Sequence, residues 1–425
     1  MIPSEKIGWK SAAALVLANM IGTGAFTTLG IQLELITNGW ALLGLWLLGG
    51  IMALFGAFSY AELGVRLPQS GGEAHFLGKI YHPFLGFVSG WVSLSVGFAA
   101  AIALSAMAVG AYLERMTGLT SLTVAVASIV LLSVAHSVSI KSSSRLQNGL
   151  TLIKLVLVTG MAIAGVLLPA SPSSVVDWSL AGLPQIWSPG AAVALISVFY
   201  AYSGWNAAAY IVEEIDQPAR NLPRALIGGS VIVTLIFLVL QFAFLRQAGP
   251  EALTGQIEVG QIAATAMFGP ETGMAISSIV GVLLLAGISA MIWVGPRVVN
   301  AMGSNHPIWE QFARKNKKGI PLRAIWLQSG ISLFLVLTAS FERVLLYSGF
   351  VLQAFAFLAV LGLLLLRRRS GKRAAWQSPL YPVAQLFFLA FSLWSMGYLL
   401  VEHPVESGLG LLNVLAAAVA YWLDE

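Results

Sequence analysis

Long apolar stretches, nearly free of charge, follow one another along the whole chain, and no other feature constrains its fold as strongly. They run at about 9–33, 38–65, 83–113, 117–137, 148–169, 189–212, 224–246, 272–302, 321–341, 344–366, 381–401 and 406–423. A helix needs roughly 20 apolar residues to cross a bilayer. In hydrocarbon every backbone N–H and C=O must bond within the chain, so spans of this length read as helices. The expectation is an all-α integral membrane protein with twelve transmembrane helices, in a single transmembrane domain over residues 1–425. Several stretches exceed 25 residues, which calls for tilt or interruption. Of the 425 residues, 58% are apolar and 10% charged, against roughly 45–50% and about 25% in soluble domains. A water-soluble enzyme does not fit, and no long polar block exists to form a soluble head.

The basic residues fix the expected orientation. With both termini on the inner side, nineteen of them fall in inner segments, from Lys6 and Lys10 through Arg66, Lys79 and Lys315 to the cluster Arg367, Arg368, Arg369, Lys372 and Arg373. The outer loops hold only Arg115, Arg246 and Arg343. This asymmetry is the positive-inside pattern. It accounts for the net charge of +5 through contact with anionic lipid, without nucleic acid. The absence of cysteine excludes disulfides and thiolate metal sites. The five histidines are scattered, so no metal site and no cofactor are expected. No cleavable signal peptide and no Asn-x-Ser/Thr sequon are seen. The expected setting is a prokaryotic inner membrane, with the chain crossing it many times.

Two spans carry glycine near their middle. Span one reads Asn19-Met20-Ile21-Gly22-Thr23-Gly24-Ala25-Phe26, and span six reads Tyr200-Ala201-Tyr202-Ser203-Gly204-Trp205-Asn206. Glycine costs about 1 kcal/mol against alanine in a helix. Either pair alone is explained by close helix packing through small residues. Together they open two successive blocks of five spans, and odd blocks insert with opposite orientation. Interrupted helices at matching positions of inverted halves point to a transporter's midplane site. Half-helix N-termini there favour an anion and half-helix C-termini a cation. A zwitterion such as an α-amino acid fits both.

At these residues the chain resembles the amino acid–polyamine–organocation superfamily of transporters, closest in motif to its L-type amino acid transporter branch. The resemblance rests on Ile21-Gly22-Thr23-Gly24-Ala25-Phe26, on Pro68-Gln69-Ser70-Gly71-Gly72-Glu73-Ala74 and on Ala201-Tyr202-Ser203-Gly204-Trp205-Asn206. Val212-Glu213-Glu214, Arg220-Asn221-Leu222-Pro223-Arg224 and Gly319-Ile320-Pro321-Leu322-Arg323-Ala324 continue it. It implies a leucine-transporter-like fold of 5+5 inverted spans plus two extra, with repeats near 8–170 and 188–368 and the extra helices near 380–424. Carried over by position, Gly22 and the amides of Thr23 and Gly24 hold the substrate carboxylate. Carbonyls at Ile21, Tyr200 and Ser203, beside Gly204, hold its ammonium, and Tyr200 is the aromatic gate. Gly24→Val is expected to block the substrate and leave the fold intact. Two departures stand out: Ala25 replaces a large aliphatic residue, and Gly295-Pro296-Arg297 replaces small-Ser-Arg in span eight.

Lys154 lies within span five. It is about 14 Å of helix past Arg145, so snorkelling to the inner surface is geometrically open. Intramembrane charges usually face the bundle, and in sodium-independent relatives a lysine stands where sodium otherwise binds. Lys154 is therefore expected as the coupling residue, bridging the break near Gly22 to span eight at Ser289. Glu62, Glu213 and Glu214 read as inner-surface ion-pair or capping groups, and His136 as a hydrogen-bonded structural residue. Tyr and Trp near span ends read as interfacial anchors.

The function expected is secondary active transport of amino acids, neutral L-amino acids by the resemblance, sodium-independent and by alternating access, with protons as the candidate coupling ion. An exchanger or exporter on the same fold is the alternative. A passive channel is the rival outside the family, and it lacks a continuous polar lining along the spans. No enzyme motif is present. The sequence names no partner subunit.

Overall fold

The structure, a computed structural model, describes residues 6–138, 144–171, 174–303, 307–317, 319–371 and 373–424. Lys141, Lys318 and Lys372 of the basic loops lie outside these. The described residues form helices and no strand. Each of the twelve apolar stretches contains a helix. By length and composition nine described helices can cross a membrane, or eleven if each of two bent pairs counts as one span. Leu322–Thr338, with 17 residues, is a shorter apolar helix.

The first stretch divides into α1 (Trp9–Met20), α2 (Gly24–Thr27) and α3 (Leu29–Leu35), with a 52° bend between Thr27 and Leu29. α4 (Gly39–Arg66) starts at Asn38, whose side chain accepts from the Ala41 amide at 3.0 Å. A short helix, α5 (Gly72–Ile80), leads to α6 (Pro83–Val92), which runs through a π-helical turn at Ser93–Ala100 into α7 (Ala101–Thr117). Then come α8 (Ser121–Val138) and α9 (Ser144–Leu167). A 3-10 helix at Leu180–Trp187 lies at 75° to α10 (Pro189–Ala201). α10 stops at a turn, and the chain continues as a 3-10 helix at Ala207–Glu214.

The second half comprises α11 (Pro218–Leu253), α12 (Val259–Phe268), α13 (Pro270–Gly303), α14 (Pro307–Ala313), α15 (Leu322–Thr338) and α16 (Phe341–Ser370). α17 (Val383–Glu402) and α18 (Pro404–Trp422) close the chain. Pro296 sits inside α13 without ending it. The ring removes one ladder hydrogen bond, and Gln328 of α15 donates to the nearby Met291 carbonyl at 3.1 Å. Gly295 lies flush against Gln328, where a Cβ would collide with its amide. Gln328 therefore packs closely on this Gly-Pro stretch of span eight.

Two packing groups surround the breaks. In one, α11 packs on α1 and α4, and α4 packs on α10. Within this group Trp46, Tyr202 and Phe237 meet with ring centroids 5.2–5.8 Å apart. α7, α8, α13 and α15 form the other group. Leu131, Leu152, Ile153, Val156, Leu337 and Leu393 point outward and exposed. Around a belt of such residues the apolar medium is lipid, not a protein interior.

Candidate functional site

The helical ladder of the first stretch stops at Met20. The Ile21 amide still reaches the Leu17 carbonyl at 3.0 Å, but the Gly22 amide turns back to Met20 at 2.9 Å. Helix resumes at Gly24, so the first amides of the new segment start without intrahelical partners. In the sixth stretch the Tyr202 amide closes on Val198 at 3.0 Å and the Ser203 amide on Tyr200 at 2.9 Å. Gly204 then takes φ +97°, a left-handed conformation that suits glycine.

The two interruptions interlock. A Cβ on Gly24 would stand 2.5 Å from Ala201 Cα, and one on Gly204 would stand 2.8 Å from the Asn19 backbone. Each glycine lets the backbone of one broken helix touch the other. Gly22 differs: the nearest atom to a Cβ there is the Asn19 carbonyl oxygen at 3.8 Å. The expectation that Gly24→Val spares the fold is therefore corrected. Its side chain meets the Ala201 backbone, which cannot rotate away, and Gly22 is the position that faces free space. Tyr200, buried at the end of α10, places its hydroxyl beside the Thr23 side chain. Ile21, Gly22, Thr23, Gly24, Tyr200, Ser203 and Gly204 thus sit in one neighbourhood.

Access to this neighbourhood is one-sided. Ala25, Phe26, Thr27, Thr28 and Leu29, beyond the first break, are each at most 2% exposed. On the side where the basic residues gather, Ser11, Ala14 and Asn19 of α1 are exposed, and Gly22, Ser203, Gly204 and Asn206 are partly so. The exposed side of the breaks is the one toward this basic face. Hydrogen bonds seal the opposite face. The Tyr112 hydroxyl donates to the Phe26 carbonyl and accepts from the Gly260 amide, both at 3.0 Å. Gln241 of α11 donates to the Ala25 carbonyl at 3.2 Å. Gln32 accepts from Trp46 Nε1 at 2.7 Å and donates to Ser197 Oγ at 3.2 Å. Tyr112, expected as an interfacial anchor, is instead 1% exposed.

Lys154 lies on the face of α9 that also carries Val158, Met161 and Ala162, all at most 3% exposed. Gly165, further along this face, is flush against Ala243 of α11. The side chain is partly buried. The expected bridge to Ser289 is not made: Ser289 Oγ lies 2.8 Å from His136 Nε2. α1 packs against α11 and the 207–214 segment, while α9 packs on α11, and no hydrogen bond from Lys154 across the break is seen among the described residues.

The acidic groups are tied down. Glu62 accepts from Arg66 Nε at 2.7 Å, from Arg367 and from the Ser378 amide at 2.7 Å. Glu213 accepts from the Ser70 amide at 3.2 Å, whereas Glu214 is held through its backbone carbonyl, which accepts from the Ile7 amide at 2.8 Å. Sequence reasoning missed Glu73, which lies buried against Tyr60, Asn206 and Tyr210. A cavity of about 220 Å³ lies between α8, α13 and the start of α15, lined by His136, Trp293, Arg297 and Lys315 among others. None of the break residues lines it. No group of three metal-ligating side chains occurs among the described residues.

The profile of the amino acid permease family matches residues 7–419. The chain is 28% identical over 432 residues to the serine/threonine exchanger SteT of Bacillus subtilis (strain 168), covering 98% of this chain and 96% of that protein. It is 26% identical over 439 residues to the large neutral amino acids transporter small subunit 2 of Mus musculus, covering 99% and 81%. It is 25% identical over 440 residues to the Asc-type amino acid transporter 1 of Homo sapiens, covering 99% and 82%.

Proposed function

The chain belongs to the amino acid permease family, and we propose that it carries neutral L-amino acids across the membrane by alternating access, without sodium. The observation that carries this reading is the interlocked pair of breaks, sealed toward one face and accessible from the other. A channel has no need of such one-sided closure. The α-carboxylate is assigned to the amides that open the segment after Thr23, and the ammonium to carbonyls at Ile21, Tyr200 and Ser203. Charge-assisted hydrogen bonds of this kind are about twice as strong as neutral ones. Tyr200 gates the site. The names of the relatives, a serine/threonine exchanger and two transporters of amino acids, support the substrate class.

The basic face is assigned to the cytoplasm by the distribution of Lys and Arg, which assigns both termini to the cytoplasm and makes the accessible side of the breaks the inner one. Lys154 is assigned to coupling. Its fixed positive charge stands on the bundle face of α9, where it disfavours a second cation. The two inverted repeats and the two extra helices complete the reading.

The purified chain in liposomes tests it. Labelled serine or leucine should enter, and equally well when choline replaces sodium outside. Comparing empty vesicles with vesicles preloaded with amino acid separates net uptake from exchange. Sugar or ion flux through the protein without amino acid uptake would overturn the reading.

A further inference from the structure

Two carboxylates are buried near the basic face. Glu62 is compensated by Arg66 and Arg367. Glu73 accepts instead from neutral donors: Oε1 from the Tyr60 hydroxyl at 2.6 Å and Asn206 Nδ2 at 2.8 Å, and Oε2 from the Tyr210 hydroxyl. It stands in the first turn of α5, where the helix dipole favours negative charge. The chain just before it grips the same partner. The Gly71 amide donates to the Tyr210 carbonyl at 3.1 Å, and the Glu213 amide donates to Ser70 Oγ at 3.3 Å. Gly71 and Gly72 have φ +125° and +55°, and a Cβ on Gly72 would stand 2.6 Å from the Tyr210 ring. These two glycines let α5 begin directly on the tyrosine.

The partner so gripped is the limb of the broken sixth helix on the basic face. Asn206 is two residues from Gly204, whose backbone rests on Asn19. We propose that Glu73 is a positioning residue for the substrate segment: ionised, it holds the 206–214 limb on α4 and α5, and proton uptake from the basic face loosens that hold. This rests on the transport reading above. A carboxylate accepts at every lone pair, whereas a protonated carboxyl gives up one acceptor site to its own proton. The titratable groups facing it are Tyr60 from α4 and Tyr210 from the limb. On α5 itself, His75 faces Lys79 and Glu213 rather than Glu73. From α16, Arg367 serves Glu62 and Arg369 serves the Ile80 carbonyl. Burial pushes the Glu73 carboxyl up, against the pull of Tyr210, Tyr60 and Asn206.

Hydrogen exchange and transport kinetics test this together, on wild type, Glu73→Gln and Glu73→Ala. Gln keeps an acceptor for Tyr60 and Asn206 but cannot titrate. After correction for intrinsic rates, the 206–214 amides of wild type should exchange about fivefold faster at acid than at neutral pH, an ordinary local-opening effect. KM on the basic face should rise in parallel. In Glu73→Gln, whose amide nitrogen cannot accept from Tyr210, both should be flat with pH and near the acid wild-type values, while Glu73→Ala should exchange fast at every pH. An unchanged pH profile in Glu73→Gln, or slow limb exchange in Glu73→Ala, overturns the proposal. If the exchange results hold but no amino acid is taken up, the transport reading fails and the hold of Glu73 on the limb stands.

Discussion

Two alanine substitutions two residues apart should do opposite things. In Gly24→Ala the new methyl carbon starts 2.5 Å from Ala201 Cα and 2.7 Å from Ala201 Cβ. Both helices carry backbone at the contact, so neither side can rotate out of the way. Overpacking of this sort costs about 1–3 kcal/mol, or roughly 5- to 150-fold in the folded-to-unfolded ratio. In Gly22→Ala the methyl carbon meets its nearest neighbour at 3.8 Å, an ordinary contact, and stability should stay within about 0.5 kcal/mol of wild type. The methyl instead projects into the space where the substrate carboxylate is assigned. Losing one charge-assisted hydrogen bond costs about 1.5–3 kcal/mol, or roughly 10- to 150-fold in Kd. The assay is thermal melting of the purified protein in detergent together with equilibrium binding of labelled serine and leucine. Gly24→Ala should melt early, and Gly22→Ala should melt normally and bind weakly. A Gly24→Ala protein as stable as wild type would refute the interlock. Wild-type Kd in Gly22→Ala would place the substrate elsewhere.

Replacing external sodium by choline should leave uptake unaltered, because a cation beside the Lys154 charge would be repelled by several kcal/mol at an effective dielectric near 20; steep sodium dependence would contradict this. Lys154→Ala should cut transport at least about tenfold, roughly 1.4 kcal/mol of coupling, with little change in melting, and wild-type kinetics on both sides would leave only the reading of Lys154 as a snorkelling residue. Tyr112→Phe removes the bonds to Phe26 and Gly260, a loss of about 1–3 kcal/mol from closure of the opposite face. Since the chain has no cysteine, Ala25→Cys gives a clean reporter: an impermeant thiol reagent added from that face should label it faster with Tyr112→Phe than without, and equal rates would count against the latch. Hydrogen bonds from Asn38 and Ser179 hold the Asp177 carboxyl below its ordinary value. Its contribution to stability is then present above the ordinary aspartate pKa and lost as pH falls through the depressed one, so Asp177→Asn should flatten the acid end of the stability profile.

What could be read from the sequence follows from the solvent. Hydrocarbon permits few backbone solutions, so charge-free length alone located the helices. The breaks were legible because Gly22 with Gly24, and Ser203 with Gly204, fall near the middle of spans at matching positions of the two halves. What glycine does there was not legible. Gly24 and Gly22 look alike in sequence, yet one abuts Ala201 and the other faces space. Glu73 follows the polar turn Pro68-Gln69-Ser70, so nothing in the sequence marked it as buried. Tyr112 looked like an anchor because it precedes Glu114 and Arg115 at a span end. Only the position of α12 over it, with Gly260 at its hydroxyl, shows that it is covered. Lys154 was legible as an intramembrane charge, but the sequence did not show that Ser289, its expected contact, is taken up by His136.

The hydrogen bonds also divide the molecule by role. Within the group formed by the broken helices, α4 and α11, side chains bond densely: Gln32 to Ser197, Tyr202 to the Trp46 carbonyl at 3.0 Å, and Gln241 to the Ala25 carbonyl. The basic ends of the two broken helices are joined through backbone, where the Ile7 amide donates to Glu214 at 2.8 Å and the Asp216 amide to Ile7 at 3.0 Å. The other group is stitched in the same way, by Ser133 to Ser329 at 2.7 Å, His136 to Ser289, and Ser332 to the Ala99 carbonyl at 2.8 Å. Tyr112 of α7 bonds from one group to the other, at the face that is shut. Contacts of backbone on backbone, such as Gly24 on Ala201, cannot slide without a collision, whereas a tyrosine hydroxyl can leave one carbonyl and be rehydrated at small net cost. Motion between two stiff groups therefore breaks the Tyr112 contact before it breaks the interlock. On the proposed transport reading, the expected outcome is that the two broken helices travel together and that access changes by rocking one group against the other.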